Sequence, residues 1–179
     1  MQKRPLKLDG CYELLPEISH DHRGSFVKIF NSHAFRGHGL EIDLQESYYT
    51  HSHHGVIRGL HFQIPPKDHV KIVFCIAGEV LDVLVDLRAT SKTYGEHVSL
   101  NLNGEKSNGL YIPKGMAHGF CVLSQSATLI YCTTSIYDAN YDSGILWNSA
   151  GVDWPIKNPI ISSRDTSFPL LFDFTTPFV

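Results

Sequence analysis

Short runs in which apolar and polar residues alternate, broken by turn residues, recur along most of the chain. Val80-Leu81-Asp82-Val83-Leu84-Val85-Asp86 keeps its polar residues on one parity over part of the run, as a half-buried strand requires. Read this way, the pattern predicts strands over 11–15, 25–30, 45–49, 56–63, 70–76, 79–86, 97–102, 109–112, 119–123 and 128–134. Ala77-Gly78, Asn103-Gly104, Asn108-Gly109 and Pro113-Lys114-Gly115 fall between them, and the Asn-Gly pairs suit turns that need positive φ. Helical periodicity is weak except for one short turn around 32–36. Many short strands at roughly 8–12-residue spacing predict an all-β sandwich or barrel. From Trp154 onward, Pro155, Pro159, Pro169 and Pro177 predict a loop-rich C-terminal tail wrapped over it.

Composition narrows the function classes. The 179 residues predict a single domain over 1–179, at ~100–200 residues per domain. A chain of this length buries roughly 70% of its unfolded surface and needs neither disulfide nor metal to fold. Fifteen Lys+Arg against eighteen Asp+Glu give a net charge of −3, and no basic run forms, which argues against a nucleic-acid partner. At 18% charged and 42% hydrophobic residues, the chain is too apolar to be disordered. No apolar stretch follows the charged opening residues Met-Gln-Lys-Arg-Pro-Leu-Lys, so no signal peptide is expected. The most apolar region, 70–87, is interrupted by Lys71, Gly78, Glu79, Asp82 and Asp86, which argues against a membrane-spanning helix. Cys75, Cys121 and Cys132 lie in apolar runs, Cys11 stands apart, and no Cys-x-x-Cys pair occurs. Buried reduced thiols and a cytoplasmic location are the expectation.

Eleven histidines raise the question of metal. A cupin-type metal site uses His-x-His with a later Glu, then Pro-x-Gly-x-x-His on a following strand. Pro113-Lys114-Gly115-Met116-Ala117-His118 matches the second half, but His61-Phe62-Gln63 fails the first. His51, His53 and His54 read as a solvated turn, and no metal is expected. A sharper set is Arg58-Gly59-Leu60-His61-Phe62-Gln63, Lys71, Tyr131 and Arg164-Asp165. On a regular strand Arg58 faces opposite to His61 unless a bulge intervenes. Lys71 opens an otherwise apolar run, Ile72 to Ile76. A lysine there is costly to bury and suits an anionic intermediate, or else it snorkels to water from an edge.

These residues belong to an ordered set of blocks: Asp21-x-Arg23-Gly24-x-Phe26, Arg58-Gly59-Leu60-His61-Phe62-Gln63, Gly78-Glu79-Val80-x-Asp82-Val83, Ile112-Pro113-x-Gly115-x-Ala117-His118-Gly119-Phe120, Ile145-Leu146-Trp147-Asn148 and Ser163-Arg164-Asp165. In this the chain resembles the dTDP-4-dehydrorhamnose 3,5-epimerases, cupin-like jelly rolls of nucleotide-sugar metabolism, from about residue 21 to 169. The resemblance implies His61 as catalytic base, Asp165 as its carboxylate partner, Lys71 as stabiliser of the enolate oxygen and Tyr131 as the acid on the opposite face. It implies Arg23, Arg58 and His118 as substrate or diphosphate contacts and Tyr137 as the aromatic under the nucleobase. Gln45, Ser47, Asp142 and Arg164 fall at implied binding positions, where the family commonly has Asn, Glu and Lys in place of the last three. A homodimer is implied as well, because the family exchanges N-terminal strands.

The chemistry fits the residue types. The hydrogens on C3 and C5 of a nucleotide-diphospho-4-keto-6-deoxyhexose are acidified by the C4 carbonyl. Removing one takes a base near neutrality, which histidine supplies, for a gain of roughly 10²–10⁴. A carboxylate behind the imidazole fixes its tautomer, a lysine steadies the enolate, and no cofactor is required. No Gly-x-Gly-x-x-Gly or phosphate loop occurs. One departure bears on the nucleotide: after Arg23-Gly24-Ser25-Phe26 the family usually places a Glu that accepts the thymine N3–H, and here Lys28 stands. Lysine has no acceptor, which sets a CDP-linked substrate beside the dTDP-linked one. The rival readings are a 3,4-ketoisomerase, a metal-dependent cupin oxygenase and a non-catalytic sugar-binding barrel.

Overall fold

A computed structural model describes residues 1–40 and 43–179. Its strands are β1 (Gln2–Pro5), β2 (Tyr12–Leu15), β3 (Ile18–Asp21), β4 (Gly24–Val27), β5 (Glu46–His53), β6 (Ile57–Gln63), β7 (Lys71–Ala77), β8 (Glu79–Asp86), β9 (His97–Asn103), β10 (Gly109–Ile112), β11 (Met116–Val122), β12 (Ser126–Thr133) and β13 (Asp142–Gly144). A short helix, α1 (Ser32–Gly37), follows β4, its first turn capped by the Asn31 side chain, which accepts from Ala34 N–H. Every strand predicted from alternation is present, with its ends moved by a few residues. Strands β1 and β3 escaped because they are polar and mostly exposed, and β13 because it is only three residues long.

Two antiparallel sheets pack face to face, in the orders β1-β2-β10-β7-β12-β5 and β13-β6-β11-β8-β9, with β3 and β4 forming a separate hairpin. This is the all-β, cupin-like jelly roll anticipated above. The period of two decides what fills it. Strand β7 sends Val73 and Cys75 into the space between the sheets and Ile72 and Phe74 to the outer face, where Phe35 of α1 covers them. Strands β8 and β11 answer from the other sheet with Val80, Leu84, Phe120 and Val122. The outer face of that second sheet, with Leu60, Phe62, Val83 and Val85, is covered by Ile145, just after β13, and by Trp154, Phe174 and Phe178 of the C-terminal tail. The four cysteines are free thiols, three of them buried and Cys132 half-buried. Among the described residues, no helix is long and apolar enough to cross a membrane.

The same parity places the charged groups. Lys71 shares the inward row of Val73 and Cys75, and is only 9% exposed. The interior reading of this lysine holds. Tyr131 shares the inward row of Ala127 and Leu129, and His118 that of Met116 and Phe120. Where these rows turn from apolar to polar, a cavity opens between the sheets.

Candidate active site

The cavity depends on a local irregularity in β6. His61 pairs with His118 and Arg58 with Phe120, so three steps on β6 answer two on β11. The extra residue is a β-bulge, and it reverses the parity between Arg58 and His61. Both therefore line the cavity. Gly59 makes the bulge possible: its φ is +141°, and a Cβ there would stand 2.6 Å from the Gly119 Cα. A side chain at 59 is excluded by backbone, not by a movable neighbour.

The cavity holds about 400 Å³. His61 forms one wall. Its Nε2 lies 2.8 Å from Asp165 Oδ1, and Asp165 Oδ2 accepts from Gly59 N–H at 3.1 Å. Burial alone would raise the Asp165 pKa, but the bonds from His61 and Gly59 win and hold it below the ordinary carboxylate value. With Nε2 engaged by a carboxylate, Nδ1 is the nitrogen left to accept a proton. Lys71 lies on the opposite sheet. Burial lowers its pKa to about 8, against the pull of Asp82 and Asp142. Tyr131 completes the wall beside it. Burial raises its pKa, so the phenol keeps its proton, and its oxygen lies 3.3 Å from Thr50 Oγ1.

Beneath these sits a second pair, His118 Nε2 with Asp82 Oδ2 at 2.9 Å. Burial lowers the His118 pKa and raises that of Asp82. At the mouth, Tyr137 and Arg164 converge on Asp142: the phenol donates at 3.3 Å and the guanidinium at 2.5 Å to the same Oδ2. His69, next to Lys71, is held neutral by burial and by that charge, with its pKa lowered to about 4.

Of the residues singled out in the sequence, His61, Lys71, Tyr131, Arg58, His118, Tyr137, Asp142 and Arg164 line this cavity, and Asp165 backs it through His61. Five do not reach it. Gln45 precedes β5 and Ser47 lies on it, both exposed. They fall on the outward parity, and the Ser47 hydroxyl donates to the Tyr131 carbonyl instead. The cavity takes the other parity, Glu46, Tyr48 and Thr50, which the sequence reading missed. Arg23, Phe26 and Lys28 belong to the β3–β4 hairpin and its exit, away from this cavity; Arg23 is tied to Asp21, and Phe26 and Lys28 are exposed. Asp82 was also missed as a site residue, although a carboxylate on the buried parity of β8 was a signal for it. Among the described residues, no group of three His, Cys, Asp or Glu side chains is placed to hold a metal ion.

Comparison with known proteins identifies the family. The family model described as dTDP-4-dehydrorhamnose 3,5-epimerase matches residues 5–173. The chain is 42% identical over 166 residues to the dTDP-4-dehydrorhamnose 3,5-epimerase of Methanothermobacter thermautotrophicus, covering 90% of this chain and 89% of that one. It is 36% identical to the dTDP-4-dehydrorhamnose 3-epimerase of Streptomyces niveus, over 96% and 84% of the two chains. A crystal structure of the dTDP-6-deoxy-D-glucose-3,5-epimerase of Legionella pneumophila, in complex with dTDP-4-keto-L-rhamnose, matches with a TM-score of 0.95 at 32% identity, over 99% and 98% of the chains. The chain belongs to the dTDP-4-dehydrorhamnose 3,5-epimerase family, a family of isomerases.

Proposed function

We propose that this member of the family is a one-domain cytoplasmic enzyme that epimerises a dTDP-linked 4-keto-6-deoxyhexose at C3, C5 or both, in deoxysugar biosynthesis. The observation that carries the reading is the His61–Asp165 pair set in one cavity with Lys71 and Tyr131. His61 Nδ1 takes the hydrogen of the carbon beside the C4 carbonyl as a proton. The electron pair of the broken C–H bond moves into the carbonyl, and the Lys71 ammonium faces the resulting enolate oxygen. Tyr131 then returns a proton to the other face, and solvent restores both side chains. Asp165 stays ionised and stabilises the His61 imidazolium while it lasts. Arg58 and His118 meet the diphosphate or sugar, and Tyr137, exposed at the mouth, offers its ring to the nucleobase.

The same reading includes a homodimer. Phe26, 65% exposed on the β3–β4 hairpin, together with Arg23 and Lys28, has no place in its own cavity and would serve that of the second copy. Light scattering of the purified protein reads this directly, and a monomeric mass removes it. The thymidine nucleotide rests on the relatives; calorimetric titration of dTDP against CDP tests it, and CDP binding tighter than dTDP would reverse it.

The reaction is tested in heavy water with freshly made dTDP-4-keto-6-deoxyglucose and no added cofactor. Deuterium appears at the carbons that His61 deprotonates, and proton spectra say whether C3 alone or both exchange. Changing His61→Asn abolishes exchange while dTDP still binds. Near-full exchange in that variant would make His61 structural and remove the assignment.

A further inference from the structure

Strand β5 borders the cavity as the edge of its sheet and, among the described residues, pairs with β12 alone. Its inward row makes a specific contact at every position. Glu46 Oε2 accepts from Tyr137 N–H at 2.9 Å. Tyr48 stacks on Tyr131. Thr50 reaches the Tyr131 hydroxyl, and Ser52 Oγ accepts from Arg58 Nε at 2.9 Å. Each partner is a cavity group, so this row orients the groups expected to touch substrate.

Tyr48 is the member whose contact is hardest to explain as simple filling. It is 41% exposed, a poor return for a ring placed only to build a core. Its ring lies nearly parallel to that of Tyr131, with centroids 4.7 Å apart and an interplanar angle of 12°. On another side, His118 meets the Tyr131 ring edge-on at 6.2 Å and 64°. A parallel stack fixes the plane of a ring, and a hydrogen bond to its hydroxyl fixes rotation of the group.

We propose that Tyr48 is a positioning residue for the epimerisation, holding the Tyr131 ring in the plane from which its hydroxyl reaches the enolate. Proton return, not proton removal, depends on it. Without Tyr48 one face of the Tyr131 ring is open and the ring can rock. Misplacing a reacting group by ~1 Å costs up to about 10²-fold. The His61–Asp165 pair stands on β6 and the tail, outside this contact, and continues to exchange protons with solvent.

The proposal rests on Tyr131 being the proton donor, and the test separates the two. Wash-in of deuterium and net inversion are read in one reaction, so their ratio is insensitive to substrate affinity. Tyr48→Leu lowers inversion by about 10-fold with wash-in nearly kept, raising the ratio, and Tyr48→Phe restores it because the stack needs the ring and not the hydroxyl. Tyr48→Thr, a good strand former, repeats the test should leucine disturb β5. The Tyr48→Leu/Tyr131→Phe double variant inverts no more slowly than Tyr131→Phe alone, since both changes remove one coupled function. An unchanged ratio in Tyr48→Leu and Tyr48→Thr, with a raised ratio in Tyr131→Phe, overturns this proposal alone. An unchanged ratio in Tyr131→Phe overturns the donor assignment and this proposal with it.

Discussion

Among the described residues, two histidine–aspartate pairs have nearly equal geometry, at 2.8 Å and 2.9 Å, in very different surroundings. In the His61–Asp165 pair the histidine side chain is 28% exposed and the aspartate comes from the loop-rich tail. In the His118–Asp82 pair the side chains are 4% and 0% exposed, and both come from adjacent strands of one sheet. Burial removes water from a charge at a cost that a single hydrogen bond does not repay in full. Hence the Asp165 pKa falls while that of Asp82 rises, and the His118 pKa falls. A base must gain and lose a proton in every turnover, which the wetter pair can do. Hydrogen-bond length alone does not separate the pair proposed as catalytic from the supporting one; access to water does.

The largest effect that would sharpen this contrast is on Asp165. An asparagine there can still accept from Gly59 N–H, but its NH₂ then faces His61 Nε2 and drives the imidazole proton to Nδ1, the nitrogen proposed as the base. By analogy with other oriented imidazoles, Asp165→Asn slows exchange by roughly 10⁴-fold. Its melting temperature stays near that of the unaltered protein. A rate within tenfold of normal would break the comparison.

The second effect is on the fold instead of the rate. Asp82→Asn leaves Lys71 without the first carboxylate that supports its charge and weakens the bond to a fully enclosed histidine. Breaking a buried pair costs about 3 kcal/mol or more, which lowers the melting temperature by roughly 6–12 °C for a chain of this size. Calorimetry on both asparagine variants makes the contrast direct: one loses turnover and the other loses stability. Equal losses of stability would erase it.

How much of this the sequence allowed depended on whether alternation was readable. Strand β8 keeps its aspartates on one parity, but β7 after Lys71 is a continuous apolar run. The interior and edge readings of Lys71 therefore both stand in the sequence, and the structure decides for the interior. Strand β5 reads Glu-Ser-Tyr-Tyr-Thr-His-Ser-His, polar on both parities, so nothing sets which row faces the cavity. The resemblance implies Gln45 and Ser47 as binding positions, but they stand on the outward row, and Glu46 and Tyr48 line the cavity. The bulge in β6 was open in the sequence because a strand's regularity is decided by its partner, and here by the close approach of Gly59 and Gly119. The Asp165 contact crosses 104 positions to His61. No local pattern reports a contact of that separation, and only the family blocks pointed to it.

The third effect is a pH dependence that ties the pairs together through Lys71. Its folded pKa is depressed to about 8 by burial. In the proposed reaction the ammonium faces the enolate below that pH, and above it the amine is neutral. Exchange therefore falls on the alkaline side, by about tenfold per pH unit beyond the pKa. In Asp82→Asn the supporting negative charge is gone, so this alkaline limb moves to lower pH. In Asp165→Asn the limb stays in place, since Asp165 is not among the groups that shift Lys71. Rate profiles between pH 6 and 9, roughly spanning that pKa, decide it. A limb that does not move in Asp82→Asn would separate Lys71 from the buried pair.

The smallest effect concerns how the wetter pair, whose aspartate comes from the tail, is held in place. Phe168, in the tail, meets the His61 ring edge-on at 5.8 Å and 67°. Its other neighbours lock it there: the Arg164 guanidinium lies 5.1 Å from its ring centre, and a Cβ at Gly144 would come within 2.6 Å of it. An edge-on aromatic contact is worth about 0.5–1.5 kcal/mol beyond its area. The His118 ring meets Tyr131 of β12 edge-on and lies buried between the sheets. Phe168→Leu keeps an apolar side chain of smaller volume and loses the quadrupole and the flat face, so His61 gains freedom that His118 does not. Proton exchange in Phe168→Leu slows by about 2–10-fold, with dTDP affinity and melting temperature nearly unchanged. A drop beyond about 10²-fold would mean that Phe168 touches substrate, and no drop would mean that the Asp165 bond alone orients the base.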